Sequence, residues 1–137
     1  MVSIESLRQS SIMGFTEYSG IELTDAGEGY TEGLIRITEH HLNPLGTIHG
    51  GVTFCLADVM GGIALKTLNF TPTTVNSNIS YIRPLIHDKV IYCRADVIKQ
   101  GINTAYVEIK VYNEQHEEAV RVIATYFNVS DRIRGHK

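Results

Sequence analysis

The chain has 137 residues and a mass of 15.3 kDa, the size of one ordinary domain. Hydrophobic residues make up 43% and charged residues 20%, which fits a chain that buries a core and excludes collagen, coiled coil and bulk disorder. Lys and Arg total 12 against 15 Asp and Glu, a net charge of −3, so no basic excess points to nucleic acid or to an anionic membrane.

From the first residue onward, Glu5 and Arg8 interrupt what would otherwise be an apolar leader, so no signal peptide is expected. Residues 3–13 predict a helix with Ser3 as cap, Ile4, Leu7 and Ile12 on one face, and Gly14 as the stop. Residues 1–17 are expected to hold only that one short helix. Residues 18–38 predict two strands joined by a turn at Gly27–Gly29.

From His49 to Leu68 the pattern changes. Val52, Leu56, Val59, Met60, Ile63 and Leu65, with their apolar neighbours, cover most of a helical wheel, the mark of a buried helix. With Asp58 at its middle and Lys66 near its end, it is too short and too interrupted to span a bilayer. Cys55 lies in this helix and Cys93 in a later apolar segment. Both read as reduced core thiols of a cytoplasmic protein.

Four strands are predicted after the helix, near 73–83, 88–100, 103–113 and 118–129. The clearest alternation sets Ala105, Val107, Ile109 and Val111 against Thr104, Tyr106, Glu108 and Lys110. The joints at Pro84–His87, Gly101–Ile102 and Glu114–Glu117 are too short for parallel crossovers, which need about a dozen residues. An antiparallel sheet with one long helix on it is expected. A helix about 10 Å across cannot cover five or six strands spaced about 4.8 Å apart, so the burial is expected to be completed by a second subunit.

Asp58 is the residue that invites a functional reading. An unpartnered carboxylate is costly on an apolar helix; either it faces solvent or an arginine, or it is there for chemistry. Gly51, Gly61 and Gly62 fall within about 60° of it around the helix. Glycines cost helix stability, so something must come close on that face: another backbone, a packed element or a ligand. At the start of the helix, His49-Gly50-Gly51 places small residues around unpaired N–H groups, which can hold an anion or a developing oxyanion. Gly50 and Asp58 stand eight positions apart, roughly 12 Å along the axis, so an Asp acting on the same atom as Gly50 is expected from a neighbouring subunit. Asn43, before Pro44, is either a turn residue or an amide that orients a water or a carbonyl.

The string HLNPLGTIHGGVTFCLAD, residues 41–58, resembles the signature of the PaaI-like acyl-CoA thioesterases of the hotdog fold: Asn43, Gly46, His49-Gly50-Gly51 and Asp58 stand at the family's spacing. TTVNSNISYIRPL, residues 73–85, looks like the family's central strand, and VIKQGINTAYVEIKVYN, residues 97–113, like its next hairpin. The resemblance implies an α+β hotdog fold in which an antiparallel sheet of five to six strands wraps around one long central helix. Residues 1–137 would form a single hotdog thioesterase domain, with 1–17 as an N-terminal helical extension. It also implies a homodimer with sites at the subunit interface, often paired into a homotetramer.

Carried over, Gly50 would polarise the thioester carbonyl and Asp58 of the neighbouring subunit would be base or nucleophile. Asn43 would place water or the carbonyl, His49 would support the loop, and Thr74 would help hold the water. Gly51, Arg83 and Lys99 are the expected substrate contacts, the two cations for the coenzyme A phosphates. No metal is implied, because the six His residues lack ligand spacing. No cofactor is expected beyond the coenzyme A of the substrate itself. No G-x-S-x-G elbow occurs. A non-catalytic acyl-CoA-binding hotdog protein and a hotdog hydratase or dehydratase are the rival readings; phenylacetyl, hydroxybenzoyl and short or medium fatty acyl groups are all open.

Overall fold

The computed structural model describes residues 2–129. Two short helices, α1 (Ile4–Ser11) and α2 (Gly14–Tyr18), lead into the hairpin β1 (Ile21–Gly27) and β2 (Tyr30–Arg36). A 3-10 turn (Glu39–His41) and a loop precede α3 (Gly50–Lys66), and β3 (Pro72–Tyr81), β4 (Val90–Gln100), β5 (Thr104–Tyr112) and β6 (Glu118–Asn128) follow.

Ser3 caps α1 by accepting the Ser6 N–H at 3.1 Å, and Leu7 pins the helix to the body. The N-terminal segment departs from expectation in holding two helices. Gly14 does not end the first; at φ +56° it turns the chain so that a second begins there.

All five ladders are antiparallel, in the order β1-β2-β4-β5-β6-β3. The predicted strand direction is right, but the joint after β3 is no hairpin. Residues 82–89 carry the chain from the edge strand β3 to β4 in the middle of the sheet, while β3 pairs with β6. The segment read as a central strand is therefore an edge strand of the single chain.

The sheet curls around α3, which touches all six strands. Curvature, absent from the flat-sheet estimate of coverage, lets one helix serve most of the width. Ala105, Val107, Ile109 and Val111 of β5 are fully buried against it, and β6 adds Val120, Val122, Ala124 and Tyr126. β2 is tied to the helix by Thr31, whose buried hydroxyl donates to the Met60 carbonyl at 2.8 Å. What remains open is β3, where Val75 and Tyr81 are each more than half exposed, and Ile82, just beyond its end, is half exposed. Among the described residues no helix is long and apolar enough to cross a membrane.

Candidate active site

The start of α3 is built from its own sequence. His49 is the N-cap: its Nδ1 accepts the Gly51 N–H at 2.9 Å, and its own N–H donates to the His41 carbonyl at 2.9 Å. Gly51 thus spends its amide on the cap. The Gly50 N–H has no hydrogen-bond partner among the described residues. The Gly50 carbonyl is held from two sides, by the Tyr81 hydroxyl at 3.0 Å and the Thr53 hydroxyl at 2.9 Å. A Cβ on Gly50 would lie 3.0 Å from that phenol oxygen, so the glycine makes room for Tyr81.

Asp58 sits two turns further on and is half-buried. Thr74 donates to its Oδ1 at 2.5 Å. The Tyr126 hydroxyl donates to the Asp58 backbone carbonyl at 2.9 Å and lies 3.4 Å from the same Oδ1. Burial pushes the Tyr126 phenol well above the usual tyrosine range, which keeps it a donor. No cation pairs with Asp58 among the described residues, so the arginine-partner explanation does not apply. Its Oδ2 has no protein partner there either.

Sheet register explains this convergence. Thr74 and Tyr126 are directly opposed across β3 and β6, so their side chains leave the same face. A bulge between Thr74 and Asn76 leaves Val75 out of the ladder and aligns Thr74, rather than Val75, with Tyr126. The same strand later brings Tyr81 to Gly50.

The glycines beside Asp58 are explained by packing. A Cβ on Gly61 would stand 2.4 Å from the Tyr126 oxygen and 3.1 Å from Ile109. Gly62 faces Pro72 and Tyr126, and Gly51 faces the His49 ring. Among the open alternatives, sheet side chains and the helix cap fill that face.

Asn43 organises its own loop. Its Oδ1 accepts the N–H groups of Leu45 and Thr47, at 2.9 and 3.2 Å, and its Nδ2 donates to the Thr47 hydroxyl at 2.7 Å. The loop it shapes ends at Ile48, next to the cap. Of the two expected cations, Arg83 lies beside Gly50 and Tyr81 in one cleft, whereas Lys99 lines another with Gly29 and Leu68, beyond the far end of α3. A 17-residue helix of about 25 Å separates those ends.

Two clefts flank the start of α3. The larger, about 760 Å³, runs between α2 and α3 and is lined in part by Phe15, Tyr18, Leu42, Val52 and Cys55. The smaller, about 280 Å³, holds Gly50, Thr53, Tyr81 and Arg83. Asp58 of the same chain lines neither. Both cysteines are free thiols; Cys93 is buried, while Cys55 is only half-buried and opens on the larger cleft. Burial pushes the thiols of both above their usual range. No group of three metal-ligating side chains occurs among the described residues.

Three participants escaped the sequence reading. Tyr126 and Tyr81 carry a weak signal: each sits on the inward side of a strand yet bears a polar tip that must find a partner. His41 is buried and committed at both ring nitrogens, Nε2–H donating to the Ser19 carbonyl at 2.8 Å and Nδ1 accepting the Thr38 N–H at 2.9 Å. Through it the α2–β1 joint is tied to the residue whose carbonyl holds His49.

Residues 45–120 match the model of the Thioesterase superfamily. Acyl-coenzyme A thioesterase 13 of Homo sapiens is 33% identical over 96 residues, 69% of this chain and 69% of the relative. Acyl-coenzyme A thioesterase PaaI of Escherichia coli is 27% identical over 116 residues, 85% of this chain and 80% of the relative. The solved structure of a conserved protein from Pseudomonas aeruginosa superposes with a TM-score of 0.83 at 27% identity, covering 88% of this chain and 98% of the other.

Proposed function

The chain belongs to the Thioesterase superfamily, and we propose that two copies of it build each site at which it works. It is a thioester hydrolase that cleaves acyl-CoA to the free acid and coenzyme A. Its fold is the hotdog fold, α+β, with six strands around one helix.

In the reading we propose, the thioester carbonyl lies against the Gly50 N–H of one subunit, where a helix start favours negative charge. Asp58 of the partner subunit takes a proton from water through Oδ2. The water oxygen bonds to the carbonyl carbon, and the carbonyl electrons move onto the oxygen facing Gly50. When the tetrahedral intermediate collapses, the C–S bond breaks and the thiolate of coenzyme A leaves. A thiolate is a good leaving group, so one carboxylate and one oxyanion donor suffice. His49 and Asn43 hold the loop that presents Gly50. Thr74 fixes the carboxylate, and its oxygen lone pairs are left to accept from the water. Arg83, at the mouth of the smaller cleft, meets the coenzyme A phosphates.

One observation carries this reading: Asp58 is a half-buried carboxylate on an apolar helix, without a cation, gripped at one oxygen and unpartnered at the other among the described residues. The two-subunit arrangement is supported by the helical distance between Gly50 and Asp58 and by β3. A ten-residue edge strand with apolar side chains exposed at its flanks is what sheets cover by pairing. Joined edge to edge, two copies would make β3 the central strand the family pattern implies. A pairing of dimers into a tetramer belongs to the same proposal.

Thiol release from a panel of acyl-CoAs tests the reaction. Asp58→Asn is expected to lose about 10²- to 10⁴-fold in kcat with its far-UV circular dichroism intact; activity within a few-fold of the parent overturns the role of Asp58. Sedimentation showing only monomer at micromolar concentration overturns the shared site.

A further inference from the structure

Resting on the hydrolase reading, the next question is where the acyl group goes. The two clefts at the start of α3 differ in chemistry. The smaller carries Arg83, which lies within salt-bridge distance of no carboxylate among the described residues. In the larger, Arg36 is the one guanidinium among the described residues and is already paired with Glu22 at 3.1 Å, and no described lysine lines it. A phosphorylated carrier is therefore drawn to the first cleft and repaid little in the second, where the walls around Val52, Leu42 and Cys55 suit an apolar group.

The larger cleft also carries two unexplained aromatics. Phe15 and Tyr18 are 71% and 87% exposed, although large exposed apolar side chains usually mark a contact. They stand three positions apart on α2, so both lie on one side of that short helix, and both line the cleft. The opposite wall includes His49, Gly51, Val52 and Cys55 of the α3 start. The cleft thus borders the residues on either side of Gly50, His49 and Gly51, while Gly50 itself lines the cleft that holds Arg83.

We propose that the cleft between α2 and α3 is the acyl pocket, that it takes an apolar acyl group much larger than acetyl, and that Phe15 and Tyr18 set this preference. The thioester then straddles the start of α3, acyl group toward α2 and coenzyme A toward Arg83. Each methylene that the pocket removes from water adds about fourfold to kcat/KM.

The test compares acetyl-, octanoyl- and phenylacetyl-CoA on the parent enzyme and on the doubly substituted Phe15→Ala/Tyr18→Ala chain. Both side chains are largely exposed, so their truncation leaves the core untouched. The parent is expected to favour octanoyl- or phenylacetyl-CoA over acetyl-CoA by at least tenfold; the double variant loses that advantage because its octanoyl- and phenylacetyl-CoA rates fall far more than its acetyl-CoA rate, and it is inhibited by free coenzyme A as before. An unchanged acyl preference, an equal loss on all three substrates, or a parent that prefers acetyl-CoA overturns the pocket. So does a variant that sediments as a smaller species with its preference intact, because the aromatics would then be covered by a second copy. If the parent hydrolyses none of them, the hydrolase reading has failed instead. Calorimetry of octanoyl-CoA on Asp58→Asn with and without the two α2 substitutions then still decides the pocket: weaker binding without the aromatics supports it, equal binding overturns it.

Discussion

β5 and β3 are strands of similar length that face the same helix, yet their inward sides differ. β5 turns Ala105, Val107, Ile109 and Val111 toward α3, all fully buried and all apolar. β3 turns Thr74, Ser77, Ile79 and Tyr81 the same way, and three of these carry hydroxyls. Thr74 reaches the one carboxylate of α3 and Tyr81 the carbonyl of its first residue. The helix therefore has a side closed by hydrocarbon and a side met by oxygen. The candidate chemistry sits where the core is left unfinished at the edge of the sheet.

The contrast can be broken most strongly from the β5 side. Ile109→Ala deletes fully buried atoms and should cost about 2–5 kcal/mol by denaturant unfolding, with kcat per folded molecule retained. Loss of kcat at full occupancy of the native state would show that the hydrocarbon side also shapes the site. On the β3 side, Thr74→Ala should reverse that pattern: an unfolding midpoint within about 1 kcal/mol of the parent, and kcat down roughly tenfold as the Asp58 carboxylate loses its grip. Thr74→Ser should restore most of it, and a Ser variant as slow as the Ala one would assign the effect to the methyl group. Tyr126→Phe touches both sides at once. It removes one buried donor to the Asp58 carbonyl and should cost about 1 kcal/mol, read as a lower urea midpoint. The smallest effect is expected at Ser77, whose buried Oγ has no partner among the described residues. Ser77→Ala should leave the midpoint unchanged or raise it, and a clear loss of stability would mean that this hydroxyl is bonded in the assembled protein.

Period and propensity made the elements legible. The all-apolar run before Leu68 is α3, and the alternation around Val107 is β5, each within a residue or two of expectation. The cap at Ser3 and the turn before Tyr30 follow from local chemistry that a sequence states directly. Strand order was less legible. A short joint excludes a parallel neighbour, but it does not reveal that residues 82–89 skip to the middle of a curled sheet, because curvature brings distant strand ends together.

The site was half legible for the same reason. Asp58 and Gly50 stand out as residue types that the helix would not choose for stability. Tyr126 does not, since its partner Asp58 lies sixty-eight residues away in the chain and only the strand register brings the two together. The glycines near Asp58 announced a close approach correctly, but only coordinates show that the visitors are the Tyr126 ring at Gly61, Pro72 and Tyr126 at Gly62, and the His49 ring at Gly51. Asn43 shows the opposite limit. Its spacing matches a family motif, while its amide is occupied in shaping the 43–47 loop.

The unpaired Val75 has a consequence for how such a strand can change over generations. Because one surplus residue absorbs any mismatch between the two halves of β3, the stretch that serves the acid and the stretch that serves the helix start are geared separately. Substitutions near Thr74 can retune the acid without dragging Tyr81 off Gly50. Excising Val75 should engage that clutch, forcing each half to follow the other.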